Sequence, residues 1–213
     1  MGIPVMVLGD SGAGKSASLR NFDPKEVGIF NVASKRLPFK KKLPTIDGAN
    51  YATIMKVLAK PKLKTYVVED AQYLMCFEAF AKAQETGYGK FTAMALNYYN
   101  LVQQVIQQTP PDVIVYFLQH TERTEDGHVK AKTLGKMLDN QLTVEGLFSI
   151  VLMCKTDGTR HYFETQSDGY TTAKSPLDMF EREIDNDLKF VDTTIREYYE
   201  LNKTNEKENK SND

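Results

Sequence analysis

Near the start of the chain, in VMVLGDSGAGKSASLR (5–20), Gly9, Gly14, Lys15 and Ser16 stand in the spacing Gly-x-x-x-x-Gly-Lys-Ser. Each residue type has a job in that pattern. Gly9, Gly12 and Gly14 let the backbone reach conformations closed to residues with a Cβ, so that successive N–H groups turn inward around an anion. A lysine at position 15 reaches the β- and γ-phosphates of a triphosphate, and the Ser16 hydroxyl holds Mg²⁺. The expected phosphate-binding set is therefore Gly9, Asp10, Ser11, Gly12, Ala13, Gly14, Lys15, Ser16 and Ala17. Ile3–Leu8 reads as a buried strand before this loop. Ala17–Phe22 reads as a helix after it, whose positive N-terminal end would add to the anion site.

A phosphate loop needs acids facing it if the bound triphosphate is to be hydrolysed. TYVVEDAQYL supplies them: an apolar strand at Thr65–Val68 closing on Glu69 and Asp70. One acid serves the magnesium, directly or through water, and the other orients the attacking water. Spacing alone leaves the assignment open, with Glu69 favoured for the metal and Asp70 for the water. A later apolar strand, Val113–Gln119, ends on Gln119, a candidate sensor of the γ-phosphate, with His120 beside it.

These residues must be positioned by a repeating frame. Apolar strands at Ile3–Leu8, Val27–Ala33, Thr65–Val68, Val113–Gln119 and Leu147–Lys155 alternate with helical patterns at Tyr51–Leu58, Ala71–Gln84, Thr92–Gln108 and from Leu188 to Tyr199. Strands that are apolar throughout and alternate with helices predict an α/β fold with a mostly parallel sheet covered on both faces. TDGT and SDGY are turn signals around Arg160–Gln166 and Tyr170–Lys174, and predict a C-terminal β-hairpin at one edge. By its similarity to P-loop ATPases whose sheet inserts a strand at this point, Val113–Gln119 is expected to lie between the strands of the glycine loop and the acid pair.

Composition sets the outer limits. The chain has 213 residues and a formal net charge of −1, so it is no polycation, and nucleic-acid contact would come from a local patch. Residues 1–201 are expected to form one domain, and the polar tail NKTNEKENKSND (202–213) a disordered end. Cys76 and Cys154 sit in apolar runs and read as buried free thiols, while His120, His128 and His161 show no metal-ligand spacing. No signal peptide precedes the first strand and no apolar run reaches membrane-spanning length, which makes the cytoplasm the expected compartment.

With those residues in place, the chain resembles the RecA-like P-loop ATPases, in particular small phage-encoded ATP-binding proteins of recombination and single-strand annealing. The resemblance covers most of residues 3–201 and rests on GDSGAGKSASLRNF, VVEDAQYL, FLQHTERTEDGHVKAKTLGKML and TTAKSPLDMFEREI. It implies ATP and Mg²⁺ as ligands, self-assembly into a homo-oligomer, recombination partner proteins, and a bacterial cytoplasm if the chain is phage-encoded. It also implies that the segment after the sensor strand, about Thr121–Leu138, faces single-stranded DNA through Arg123, Lys130, Lys132 and Lys136, with His128 among them. A second DNA-facing loop would run near Gly87–Phe91 with Tyr88, Lys90 and Phe91. In AKSPLDMF, Lys174 corresponds to a lysine presented to a neighbouring subunit's ATP. The basic stretch SKRLPFKKKLP, with Lys35, Arg36, Lys40, Lys41 and Lys42, is a candidate surface for DNA or a neighbouring subunit.

The chain departs from the pattern in two ways. The appended terminal domains of full recombinases have no counterpart in the resemblance, so strand exchange is not expected. Glu69 also stands where aspartate is common. Two other functions fit the same loop: a small phosphotransferase for a nucleotide or metabolite, and a nucleotide-binding interaction module with negligible turnover. A kinase needs an arginine-rich lid, and the arginines here are scattered at 20, 36, 123, 160, 182 and 196.

Overall fold

A computed structural model describes residues 1–87, 89–134 and 142–201. The strands that read as apolar throughout are the ones buried on both faces: β1 (Ile3–Leu8), β4 (Thr65–Glu69), β5 (Ile114–Gln119) and most of β8 (Ile150–Thr156). With β2 (Val27–Asn31) and β3 (Thr45–Asp47) they form the parallel part of one sheet. Two antiparallel strands, β9 (His161–Glu164) and β10 (Glu183–Asp185), complete one edge. Among the described residues the order across the sheet is β10-β9-β8-β1-β5-β4-β2-β3. The expected insertion of the 113–119 strand is therefore observed: β5 pairs with β1 on one side, Leu8 opposite Gln119, and with β4 on the other, Val68 opposite Phe117.

Alternate residues of these strands feed two cores. Met6, Leu8, Val68, Phe117 and Val151 point to the face covered by α1 (Tyr51–Leu58), α2 (Gln72–Ala81) and α3 (Gly89–Gln108). Val5, Val7, Val67, Leu118 and Leu152 point to the face covered by α4 (Leu188–Tyr198) and the short helical turn after the glycine loop. The fold is thus α/β, with a mostly parallel eight-stranded sheet flanked by helices. No helix among the described residues is long and apolar enough to cross a membrane.

Several expected boundaries shift, each for a local reason. The helix after the glycine loop is a six-residue 3-10 turn, Ser16–Asn21. Pro24 disfavours helical dihedrals at Asp23, and Phe22 is already extended, so too few residues remain for a propagating α-helix. Its dipole is correspondingly small. Residues 89–91 belong to α3 and form no loop: Lys90 donates to the carbonyls of Lys82 and Glu85 at 3.3 and 2.8 Å, drawing the start of α3 back onto the end of α2. Tyr88 lies outside the described residues. The segment 170–174 is no strand. Asp168 accepts the N–H groups of Tyr170 and Thr171 at 2.8 and 3.1 Å, and single bridges from Thr171 to Val129 and from Lys174 to Val151 replace a ladder. The second edge strand is β10 instead. Residues 121–134 form an antiparallel pair, β6 (Thr121–Arg123) and β7 (Val129–Ala131). Lys136 and the expected tail, 202–213, lie outside the described residues. Both cysteines are free; Cys154 is buried and Cys76 half-buried.

Candidate active site

The carboxyl ends of β1, β4 and β5 open on one crevice, the place where open parallel sheets present loops to a ligand. The loop from β1 turns there through Gly12 and Gly14, with φ of +82° and +106°. At Gly14 a Cβ would also make a tight contact, 3.0 Å from the His161 ring, on top of the left-handed φ that favours glycine. Loop residues Gly12, Gly14, Lys15, Ser16 and Ala17 line a cavity of about 350 Å³ together with Lys35, Asp70, His120 and His161.

Lys15 is 6% exposed and curls over its own loop, donating to the carbonyls of Gly9 at 2.7 Å and Asp10 at 3.0 Å. Burial lowers its pKa, against the raising pull of Cys154, Asp70, Glu69 and Asp10. Ser16 donates its hydroxyl to Glu69 Oε1, while Glu69 Oε2 is buried with no hydrogen-bond partner. The predicted pair of loop hydroxyl and strand-end acid is therefore in direct contact.

The two neighbouring acids meet opposite surroundings. Burial raises the Glu69 carboxyl to about 7, with the Asp70 charge adding to the rise and the Ser16 bond opposing it. Burial also pushes Asp70 upward, but His120 and Lys35 outweigh it and hold that carboxyl below its ordinary value. Lys35 pairs with Asp70 Oδ2, and His120 Nε2 lies 3.4 Å from Oδ1. Asp70 has a φ of +57°, a left-handed turn that aspartate tolerates and that takes its side chain off the strand direction.

Behind these residues the crevice is braced. The Gly9 N–H donates to the Gln119 carbonyl at 3.3 Å, and the Thr121 hydroxyl donates to Asp10 Oδ1. Gln119 itself faces inward: it is fully buried, accepts from Tyr98 at 2.6 Å, and donates to the Lys132 carbonyl at 2.7 Å. The polar strand-end group that reaches the cavity is His120, one residue on. On the other flank of the loop, Asp10, Ser11, Arg123, Lys155, Tyr162 and neighbouring residues line a second cavity of about 420 Å³.

No protein-family model matches the chain, and no curated protein matches it significantly in sequence.

Of the residues expected from sequence, the loop set 9–17, Glu69 and Asp70 come together. Lys174 does not join them within the chain: its backbone pairs with Val151, which is level with Met6 and well short of the loop. The Arg123, Lys130 and Lys132 side chains lie on or beside the β6–β7 pair. Lys130 contacts Glu122 at 3.1 Å, while Arg123 and Lys132 are exposed and make no side-chain ion pair among the described residues. Two members of the site escaped the sequence reading. Lys35 sits in a basic stretch whose charges pointed to an external surface. His161 has no ligand spacing, yet its Nδ1 lies 2.7 Å from the Ala13 carbonyl oxygen, directly over the loop. Only the antiparallel return of β9 along β8 brings it there.

Proposed function

We propose that the chain is a RecA-like P-loop ATPase that binds Mg-ATP, works on single-stranded DNA as a homo-oligomer, and serves recombination or strand annealing. The observation that carries this reading is the meeting of Lys15, Ser16, Glu69 and Asp70 at the ends of two strands with β5 inserted between them. A small phosphotransferase would place the acid-bearing strand directly beside the loop strand, and the inserted β5 weighs against it. The position of the β6–β7 pair, tied to the loop through Thr121 and Asp10, supports a nucleic-acid surface that responds to the loop.

The residues fit a magnesium ion. Glu69 Oε2 is a buried oxygen without a partner, beside a serine hydroxyl already held to the same carboxylate. Magnesium takes few protein oxygens and completes its shell with water and phosphate. Ser16 and Glu69 would hold it, and it would neutralise charge on the β- and γ-phosphates. Lys15 exchanges two carbonyl partners for the phosphates, so its present bonds keep a buried ammonium satisfied until ligand arrives. Asp70, kept ionised by His120 and Lys35, orients the attacking water. A weak base suffices because phosphoryl transfer develops little bond to the nucleophile.

Turnover of ATP measured with and without single-stranded DNA, beside a sizing run, tests the reading. Stimulated hydrolysis by an oligomer supports it; a monomer indifferent to DNA and inert to ATP refutes it.

A further inference from the structure

Lys35 is too well placed for a lysine in a solvated loop. Its backbone is clamped at both ends by one buried side chain: the Asn31 amide donates to the Lys35 carbonyl at 2.8 Å and accepts the Lys35 N–H at 3.2 Å. Asn31 is 3% exposed at the end of β2, and its amide also donates to Asp47 Oδ1 at 2.7 Å on the neighbouring strand β3. The turn between them passes through Ser34 at a φ of +54°, a left-handed conformation serine rarely adopts. The result aims a long cation back across the strand ends. Its ammonium pairs with Asp70 Oδ2, lies 5.4 Å from the centre of the Tyr73 ring, and lines the same cavity as Lys15 and Ser16.

We infer that Lys35 is a second phosphate-binding lysine supplied within the chain, held on Asp70 until a γ-phosphate enters the cavity. The inference rests on the nucleotide reading of the glycine loop and adds a residue to it. Lys15 comes from the loop itself and approaches from beneath. Lys35 comes from the far side of β4, the end of the cavity that the inference gives to the terminal phosphate of a triphosphate. An ammonium shared with Asp70 also links the two events at that end: as Lys35 turns to phosphate, the carboxylate is freed to take a water. Asn31 is the positioning residue that makes the reach possible.

The test is calorimetric titration of the full chain with Mg-ATP and with Mg-ADP, for the natural protein, Lys35→Ala, Lys35→Arg and Asn31→Ala. Lys60→Ala serves as a control for loss of one charge, since that exposed lysine follows α1 away from the cavity. The Lys35 side chain is 57% exposed, so its removal leaves the core intact, and a thermal melt checks this. Lys35→Ala should weaken ATP about tenfold and ADP less than twofold, a loss confined to the terminal phosphate. Lys35→Arg should recover most of the ATP affinity, Asn31→Ala should repeat part of the loss, and Lys60→Ala should change neither ligand. Equal weakening of ATP and ADP, or no change in either, overturns the role of Lys35 while leaving the loop reading standing. A natural protein that binds neither nucleotide overturns both.

Discussion

Among the described residues, a wide, mostly apolar cleft and a smaller, highly charged cavity lie in different places. Between the end of β2, α1, α2 and α3 lies a cleft of about 640 Å³, walled by Val32, Ala49, Ala52, Leu74 and Phe77. Its carboxylate, Glu78, accepts from Lys82 at 2.7 Å and Asn97 at 2.8 Å through Oε1, while Oε2 is buried without a hydrogen-bond partner, and no second charged group among the described residues lines the cleft. The cavity at the glycine loop is about half that volume, yet Lys15, Lys35, Asp70, His120 and His161 all converge on it from separate elements. Volume measures where chains fail to fill space. Convergence of charges from distant segments is costly to desolvate and persists only where packing and hydrogen bonds hold it. On that ground the proposed nucleotide chemistry is assigned to the smaller cavity.

Replacing a residue on each side sharpens that contrast. Lys15→Ala should weaken Mg-ATP binding at least about a hundredfold, from loss of a buried charge-assisted contact, with the fold kept and a cooperative thermal melt retained. An ATP titration beside the melt decides it, and retained affinity would detach the loop from nucleotide. Behind the same cavity, held by the Ser16 hydroxyl, Glu69 offers a signature that needs no ligand. Its carboxyl stands near 4.5 in an unfolded chain and about 7 in the fold. As pH rises the unfolded chain gives up its proton first, so stability is full below about 4.5 and falls until about 7. Glu69→Gln removes that loss, and should be more stable than the natural protein by about 3 kcal/mol above pH 7 and similar to it near pH 4. Urea denaturation across this range reads the difference; a gap independent of pH would contradict the burial of Glu69.

Smaller effects test the walls. Gly14→Ala should destabilise by roughly 2 kcal/mol, because it pays both a left-handed φ and a collision with His161. Gly12→Ala meets nothing within 4 Å and should cost about half as much by the same denaturation. Arg123→Glu with Lys132→Glu should reduce the salt dependence of single-strand binding by about 1.4 in log–log slope, the share of two phosphates. Phe77→Ala, in the wide cleft, should leave ATP affinity within about twofold.

The frame was legible because it is written in local pattern. Apolar strands, the glycine spacing and the acid pair are each contained in fewer than ten residues, and even the insertion of β5 followed from the kind of fold they imply. What stayed hidden depends on contacts across the chain. β3 and β10 are three residues long and largely exposed, so neither carries an apolar run. Lys35 reads as one of several loop lysines until Asn31 is seen to clamp it. His161 reaches the loop only through the pairing of β9 with β8. Gln119 looked outward at a strand end, but Tyr98 from α3 and the Lys132 carbonyl draw its amide into the core. A 3-10 turn replaced a helix because Pro24 cuts the segment short.

The central claim is that the loop hydroxyl and the strand-end acid act as one unit on a magnesium-bearing triphosphate. It is tested most directly by ATP affinity with magnesium and with EDTA, across Ser16→Ala, Glu69→Gln and the double variant. Magnesium should tighten ATP binding to the natural protein, most of that gain should vanish in either single variant, and the double variant should lose little more. Losses that simply add, or an affinity that magnesium does not alter, would contradict the account.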